Sequence, residues 1–321
     1  MKSTFDRTAV IFDSGGFNGV LSIGPAKAIW SRGVKPVALF GTSVGAINAA
    51  KIAETNALES VNQLEIIWLL IEKLGPEAIF NSKFISYRLL KGKPALFRND
   101  KLIKLISSLN VRKVVEQPWT LGIVLINDKS ENFPADDLLC SDISEFLARR
   151  FQVVSSHDKE VEDNPELLKE YILASASVPG AFEAVKIGDR KFSDGFVFSS
   201  VSKQISQLNC DTVILILNKN PLSKARMSWH QAMFGGLRYL QDTLNAIGII
   251  HFLQAHQDFS VWHCSKEITP LRVASERRFI IIEPPNAVPD LEQVRFKDVD
   301  FSSIIKEGFK RTQSFLSIIE P

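Results

Sequence analysis

The chain opens on short apolar runs that alternate with helical patterns, which is the signature of a parallel sheet with crossover helices. Ala9 to Asp13 (AVIFD) reads as a strand ending in a Gly-rich turn. Gly19 to Arg32 carries a helical pattern, and Pro36 to Phe40 (PVALF) is a second strand. The stretch Gly41-Thr42-Ser43-Val44-Gly45 then turns the chain into the helix AINAAKIAE. From Leu58 to Leu109 the pattern is mainly helical, with an apolar stripe through Leu102, Ile103, Leu105, Ile106 and Leu109. Trp119 to Asn127 returns as a strand. ELLKEYILASASVPGAF reads as a helix stopped at Pro179-Gly180, and Lys186 to Phe198 as a hairpin around Gly188-Asp189. Asp211 to Asn218 and Arg278 to Pro284 are apolar enough to be buried central strands. Roughly Ala225 to Asp258 reads as helical, with an amphipathic pattern through Phe234, Leu237, Leu240, Leu244 and Ile247 that suits a core contact. FSSIIKEGFKRTQSFLSII suits an amphipathic helix.

This pattern predicts one α/β domain over residues 1–321, because no Gly/Ser-rich or Pro-rich linker divides it. The core motifs lie within 9–200, and 201–321 completes the sheet and adds C-terminal helices. A formal net charge of +2 gives no reason to expect a nucleic-acid partner. The N-terminus lacks a secretory signature, and no apolar run is long enough to span a bilayer. A cytoplasmic protein that meets membranes only at their surface is the expectation. Cys140, Cys210 and Cys264 lie far apart and read as buried thiols in a reducing compartment.

Three local signals carry chemistry. Gly41-Thr42-Ser43-Val44-Gly45 is a G-x-S-x-G between a strand and a helix. A serine hydroxyl must be presented unobstructed to a base, and a tight strand-to-helix turn flanked by glycines does this. The plainer alternative is a turn whose serine caps a helix. Asp13-Ser14-Gly15-Gly16-Phe17-Asn18-Gly19 is a second strand-end turn, whose backbone N–H groups can converge on an oxyanion. As a nucleotide loop it fails, because Ser14 replaces the first glycine and no Gly-Lys-Ser/Thr follows. The third signal is Asp194-Gly195 at the end of the predicted hairpin: an aspartate able to take a proton, or simply a turn dipeptide. As a set the three offer nucleophile, oxyanion donors and base, the components of acyl transfer.

The order D-x-G-G-x-x-G, G-x-S-x-G and, much later, Ala174-Ser175-Ala176-Ser177-Val178-Pro179-Gly180 before Asp194-Gly195 resembles the patatin-like phospholipase family. Phe279 to Glu283 and the Asp300-Phe301…Ile305…Gly308 ending extend the resemblance over most of the chain. It implies a three-layer α/β/α patatin-like (lysophospholipase-like) fold with a mainly parallel central sheet. It also implies a Ser–Asp dyad with Ser43 as acylated nucleophile and Asp194 as base, and an oxyanion hole from the N–H groups of Gly15 and Gly16. No metal or other cofactor is implied. The partner is a lipid or other acyl ester, with peripheral membrane contact; protein partners are not indicated. Three departures bear on substrate. Asn18 stands in a position that is basic in the family, Phe196 follows Gly195 where a small residue is usual, and Ser199-Ser200 replaces Asn-Pro.

The expected reaction is hydrolysis of a fatty-acyl ester, most simply of a phospholipid or lysophospholipid. An acyltransferase on the same dyad is an alternative, and Asn18 and Phe196 motivate another, a weakly active lipid-binding regulator. A Ser-His-Asp triad must also be weighed, since Ser43, Asp194 and a late histidine follow the α/β-hydrolase order. Against it, Ser43 follows only the second strand, and His157, His230, His251, His256 and His263 read as ordinary surface or core residues. None of them has metal-ligand spacing. Finally, Lys83, Arg88, Lys91, Lys93, Arg98, Lys101 and Lys104 crowd a region rich in Phe, Ile and Leu. A lip on an anionic lipid surface and a solvated helical face both fit, the second being the plainer.

Overall fold

A computed structural model describes residues 5–81, 85–93, 95–128, 151–195, 199–208, 210–218, 249–250, 252–254, 256–264, 268–272, 276–285 and 298–319. Among these residues ten strands form one mixed sheet. They are β1 (Asp6–Phe12), β2 (Lys35–Thr42), β3 (Thr120–Asp128), β4 (Phe151–Ser155), β5 (Val185–Ile187), β6 (Arg190–Asp194), β7 (Thr212–Ile216), β8 (Ser260–Cys264), β9 (Ile268–Arg272) and β10 (Arg278–Ile282). The helices are α1 (Ile23–Ser31), α2 (Val44–Ala53), α3 (Leu58–Leu74), α4 (Ile85–Leu90), α5 (Asp100–Ser107), α6 (Val111–Val115), α7 (Lys159–Asp163), α8 (Leu167–Ser175), α9 (Ser199–Gln207) and α10 (Phe301–Ile319).

The central run β3-β2-β1-β7-β10-β8 is parallel throughout. β1, β2, β3, β7 and β10 carry apolar runs at their centres, as strands do when helices cover both faces. Alternate residues send their side chains to opposite faces. Val10, Phe12, Leu39, Ile123, Leu125, Ile214 and Ile216 join a core with α1, α2, α3, α5, α8 and α10. Ala9, Ile11, Ala38, Phe40, Val124, Val213 and Leu215 join a second core with Val201 and Ile205 of α9, Phe252 and Phe259. Three layers result, as the family resemblance implies. The helix α10 lies against α1 so closely that a Cβ on Gly24 would stand 2.3 Å from the Ile305 carbonyl oxygen.

The structure departs from the sequence reading in places. The helix expected from Gly19 begins as a 3-10 turn, Gly16–Ser22, and becomes α-helical only at Ile23. The strands β4, β8 and β9 were not expected. The stripe through Phe234, Leu237, Leu240, Leu244 and Ile247, together with Lys83, Cys140, Phe196, His230 and His251, lies outside the described residues. No helix among the described residues is long and apolar enough to cross a membrane.

Candidate active site

Ser43 stands alone between the last residue of β2 and the first of α2, at φ 56° and ψ −129°. A non-glycine residue in this region costs of order 1–3 kcal/mol and persists only where its surroundings enforce it. Here the enforcement is specific. The Ser43 N–H donates to Ser175 Oγ at 3.0 Å, and that hydroxyl donates to the Val124 carbonyl at 2.6 Å. Ala46 N–H donates to the Ser43 carbonyl at 3.0 Å. The motif glycines are required by closeness of approach. A Cβ on Gly41 would meet the Gly45 carbonyl oxygen at 2.3 Å, and one on Gly45 would meet the Phe12 and Asp13 carbonyl oxygens at 2.3 and 2.5 Å. The end of β1 thus passes directly over the first turn of α2. Thr42 and Val44, the remaining motif residues, are both buried.

Because Phe12 pairs with Gly41, the Gly-rich loop leaves β1 beside this elbow. Gly15 (φ 147°) and Gly16 (φ 53°) both adopt backbone angles that favour glycine. Asn18 N–H donates to the Gly15 carbonyl at 2.9 Å and closes the turn. The loop is pinned at both ends by buried asparagines. Asn218, just past β7, donates its side-chain amide to the Asp13 carbonyl at 2.6 Å. Asn48 of α2 donates to the Gly19 carbonyl and to Ser22 Oγ, both at 3.0 Å, and accepts from Trp68 Nε1 at 3.1 Å. Asn18 is only 2% exposed, so it is packed into the molecule rather than offered to a headgroup in solvent.

Asp194 ends β6 and is buried. The pairing around β3 fixes its place. Gly122 to Val124 pair with β2 and also with β4, so these partners lie on opposite edges of β3. Leu125 and Ile126 pair with β4 and with β6, which puts β6 on the same edge as β2. There Thr42 faces Val124 and Asp194 faces Leu125. Successive residues of a strand are about 3.3 Å apart, so β2 and β6 run at each other head to head, and their ends, Thr42 before Ser43 and Asp194, occupy neighbouring positions along β3. Gly195 then leaves the sheet so close over β3 that a Cβ would stand 2.3 Å from Leu125 Cα. Asp194 N–H donates to the Ser177 carbonyl at 3.1 Å, so the segment 174–180 touches both candidate catalytic residues, through Ser175 and Ser177.

The described histidines have other partners. His157 Nε2 meets the Trp119 carbonyl at 3.2 Å, His263 Nε2 lies 3.0 Å from Glu283, and His256 Nε2 lies 2.8 Å from Ser206 Oγ. No group of metal-ligating side chains is found among the described residues. A small apolar cavity lies under the elbow on the α9 side, bounded by Ile11, Thr42, Val124, Val201 and Leu215. At about 20 Å³ it is far below the several hundred Å³ of ordinary ligand pockets and cannot take an acyl chain.

Sequence reasoning assigned no individual role to Ser175, Asn48 or Asn218. Asn218 did leave a signal, a polar residue closing the otherwise apolar run of β7. Ser175 lay within a segment recognised by resemblance, but a contact 132 positions away in sequence leaves no local trace.

Comparison with known structures finds similarity to VipD from Legionella pneumophila, at 13% identity and a TM-score of 0.40, covering 98% of this chain and 67% of that one. The type III effector protein ExoU is similar at 14% identity and a TM-score of 0.34, covering 97% of this chain and 53% of that one. No curated protein sequence matches. The sequence pattern described as Patatin-like phospholipase matches residues 10–202, from β1 through the elbow and β6 into α9. That is more than half of the sequence, and the chain belongs to the patatin-like phospholipase family.

Proposed function

We propose that this chain is a serine acylhydrolase acting on carboxylic esters of lipids. The observation that carries the reading is the register of β2 and β6 on one edge of β3, where Thr42, next to Ser43, faces Val124 and Asp194 faces Leu125. Asp194 accepts the Ser43 hydroxyl proton as Oγ attacks the acyl carbon. The N–H groups of Gly15 and Gly16 receive the developing oxyanion, each such donor being worth about 3 kcal/mol in comparable sites. Asp194 passes the proton to the departing alkoxide, leaving an acyl-serine. The same carboxylate then takes a proton from the water that attacks the acyl-serine and returns it to Ser43 Oγ as that bond breaks, which frees the fatty acid and restores both residues. The strained backbone of Ser43 supports this reading, since such strain holds a nucleophile clear of its own helix. The helix dipole of α2, with no acidic side chain in its first turn, favours negative charge there.

Phospholipids and lysophospholipids are the proposed substrates, met at a membrane surface, and the whole chain is proposed to act as one domain. The test is a panel of diacyl and monoacyl phospholipids and neutral esters, with products read by mass spectrometry and an acceptor alcohol present or absent. Free fatty acid should form with the wild type and not with Ser43→Ala. Undiminished release by a folded Ser43→Ala would contradict the proposal. Acyl transfer to the alcohol in place of fatty-acid release would make the chain a transferase.

A further inference from the structure

The short helix α4 has its polarity reversed. Arg88 is its buried residue, while Tyr87, Leu89 and Leu90 are 58%, 61% and 87% exposed. Loose packing does not explain this, because α4 is held by specific bonds. Arg88 Nε donates to the Ala95 carbonyl at 2.8 Å and its guanidinium pairs with Glu183. Lys93 N–H returns to the Arg88 carbonyl at 3.0 Å. The irregular segment that follows is laced to the chain beyond Pro179: Leu96 N–H donates to the Gly180 carbonyl at 3.0 Å and Phe97 N–H to the Ala181 carbonyl at 2.8 Å. Asn99 Nδ2 donates to the Glu183 carbonyl at 3.0 Å. The buried arginine therefore anchors a helix whose leucines are left facing water.

Cations follow those leucines in the chain: Lys91 and Lys93 are exposed in the turn after α4. Lys104 is exposed on α5, beside exposed Ile103. Among the described residues no carboxylate pairs with Lys91, Lys93 or Lys104. The patch is tied to the candidate site as well. Phe97, Phe80 and Phe182 form one aromatic cluster, and Phe17 of the Gly-rich loop meets Phe80 edge-on at 5.4 Å.

We propose that α4 and the basic turn after it form a docking surface for an anionic lipid bilayer, which rests on the acylhydrolase reading only for its purpose. Aliphatic and tyrosine side chains beside flexible lysines suit a headgroup layer: the apolar groups enter the acyl boundary and the ammonium groups stay with the phosphates. An acidic protein would match the charge, but a helix that places Leu89 and Leu90 outermost suits a fluid apolar phase. Docking here brings lipid to the edge of the molecule to which Phe17 and the Gly-rich loop are joined.

The test separates docking from catalysis by measuring co-sedimentation with phosphatidylcholine vesicles made with or without phosphatidylserine, and, separately, turnover of a soluble short-chain ester. The wild type should prefer the vesicles containing phosphatidylserine, and added salt should weaken that preference. Lysines near an anionic surface contribute about 1 kcal/mol each, so Lys91→Glu with Lys93→Glu should lower vesicle binding by about tenfold or more. Leu89→Ser with Leu90→Ser should lower it on both vesicle types. Both variants should turn over the soluble ester at the wild-type rate. Vesicle binding unchanged in both variants would overturn the proposal, pointing instead to a protein-binding face. Loss of soluble-ester turnover in parallel with binding would overturn it too, by making α4 part of the site's own framework. Binding needs no turnover, so the docking result stands even if the hydrolase reading fails.

Discussion

Ser175 shows how a single hydroxyl can set the geometry of another residue. Its Oγ accepts from Ser43 N–H and donates to the Val124 carbonyl, so Ser175→Ala strands two buried polar groups. The expected cost is about 1–3 kcal/mol for each group left unpaired. Turnover should fall together with urea stability, whereas Ser43→Ala should lose turnover alone. Asp194→Asn should lower the rate by roughly 10²–10⁴-fold with the fold retained, as removal of a general base does. Burial lowers the pKa of His256, with nearby Asp258 opposing and Arg277 assisting. A histidine whose folded pKa is depressed stabilises the fold above its unfolded value of about 6.5 and loses that contribution as pH falls. Urea unfolding should therefore show a decline in stability below about pH 6.5 that is shallower in His256→Gln. Ester turnover of His256→Gln should stay near wild type, because His256 pairs with Ser206 and not with Ser43. Burial pushes the thiols of Cys210 and Cys264 up to about 11. Both should resist iodoacetamide at neutral pH and react only after unfolding, as peptide mass spectrometry would show.

At the scale of elements, β3 organises the site by serving β2 and β6 on one edge and β4 on the other. Gly195→Ala tests that arrangement, since its methyl would meet Leu125 backbone atoms at 2.3 to 2.6 Å. The expected result is a large loss of ester turnover, because the residue next to Asp194 must move away from β3. Turnover equal to wild type would contradict the register. The elements legible in the sequence are those with strong local chemistry. β1, β2, β7 and β10 each carry an unbroken apolar run of four or five residues, and the β5–β6 hairpin is marked by Gly188, whose φ of 58° suits the turn. β4, β8 and β9 are five-residue strands with weak alternation. β8 and β9 pair as a local hairpin, with Cys264 opposite Ile268, but Ser260, His263, Thr269, Pro270 and Arg272 break the apolar pattern that would have marked them. The Gly-rich loop was legible as a loop, yet its pinning by Asn48 and Asn218 was not, because those bonds arise only once α2 and β7 flank β1. The family resemblance supplied roles for Ser43 and Asp194 that G-x-S-x-G and Asp-Gly alone leave open.

At the scale of the molecule, the family pattern ends at residue 202 but the sheet does not. β7 pairs with β1 along Thr8 to Phe12, so removing everything after residue 202 would expose the middle of the sheet as a long apolar edge. Such edges associate. A fragment of residues 1–202 should therefore aggregate, whereas the full chain should unfold in one transition, with coincident circular dichroism and tryptophan fluorescence. A soluble, active fragment would show that the later strands are an accessory. Packing of α10 on α1 makes the same point: Gly24→Ala would drive a methyl into the Ile305 carbonyl and should destabilise the full chain by about 1–3 kcal/mol.

The proposed chemistry requires Ser43 to act as an activated nucleophile with Asp194 as its base. Covalent labelling with a fluorophosphonate, mapped by peptide mass spectrometry, tests this most directly. One adduct is expected, on Ser43, formed at much lower rate in Asp194→Asn and at wild-type rate in His157→Gln, His256→Gln and His263→Gln. An adduct on another serine, or labelling of Ser43 that survives Asp194→Asn but is abolished by loss of one histidine in a folded protein, would contradict it.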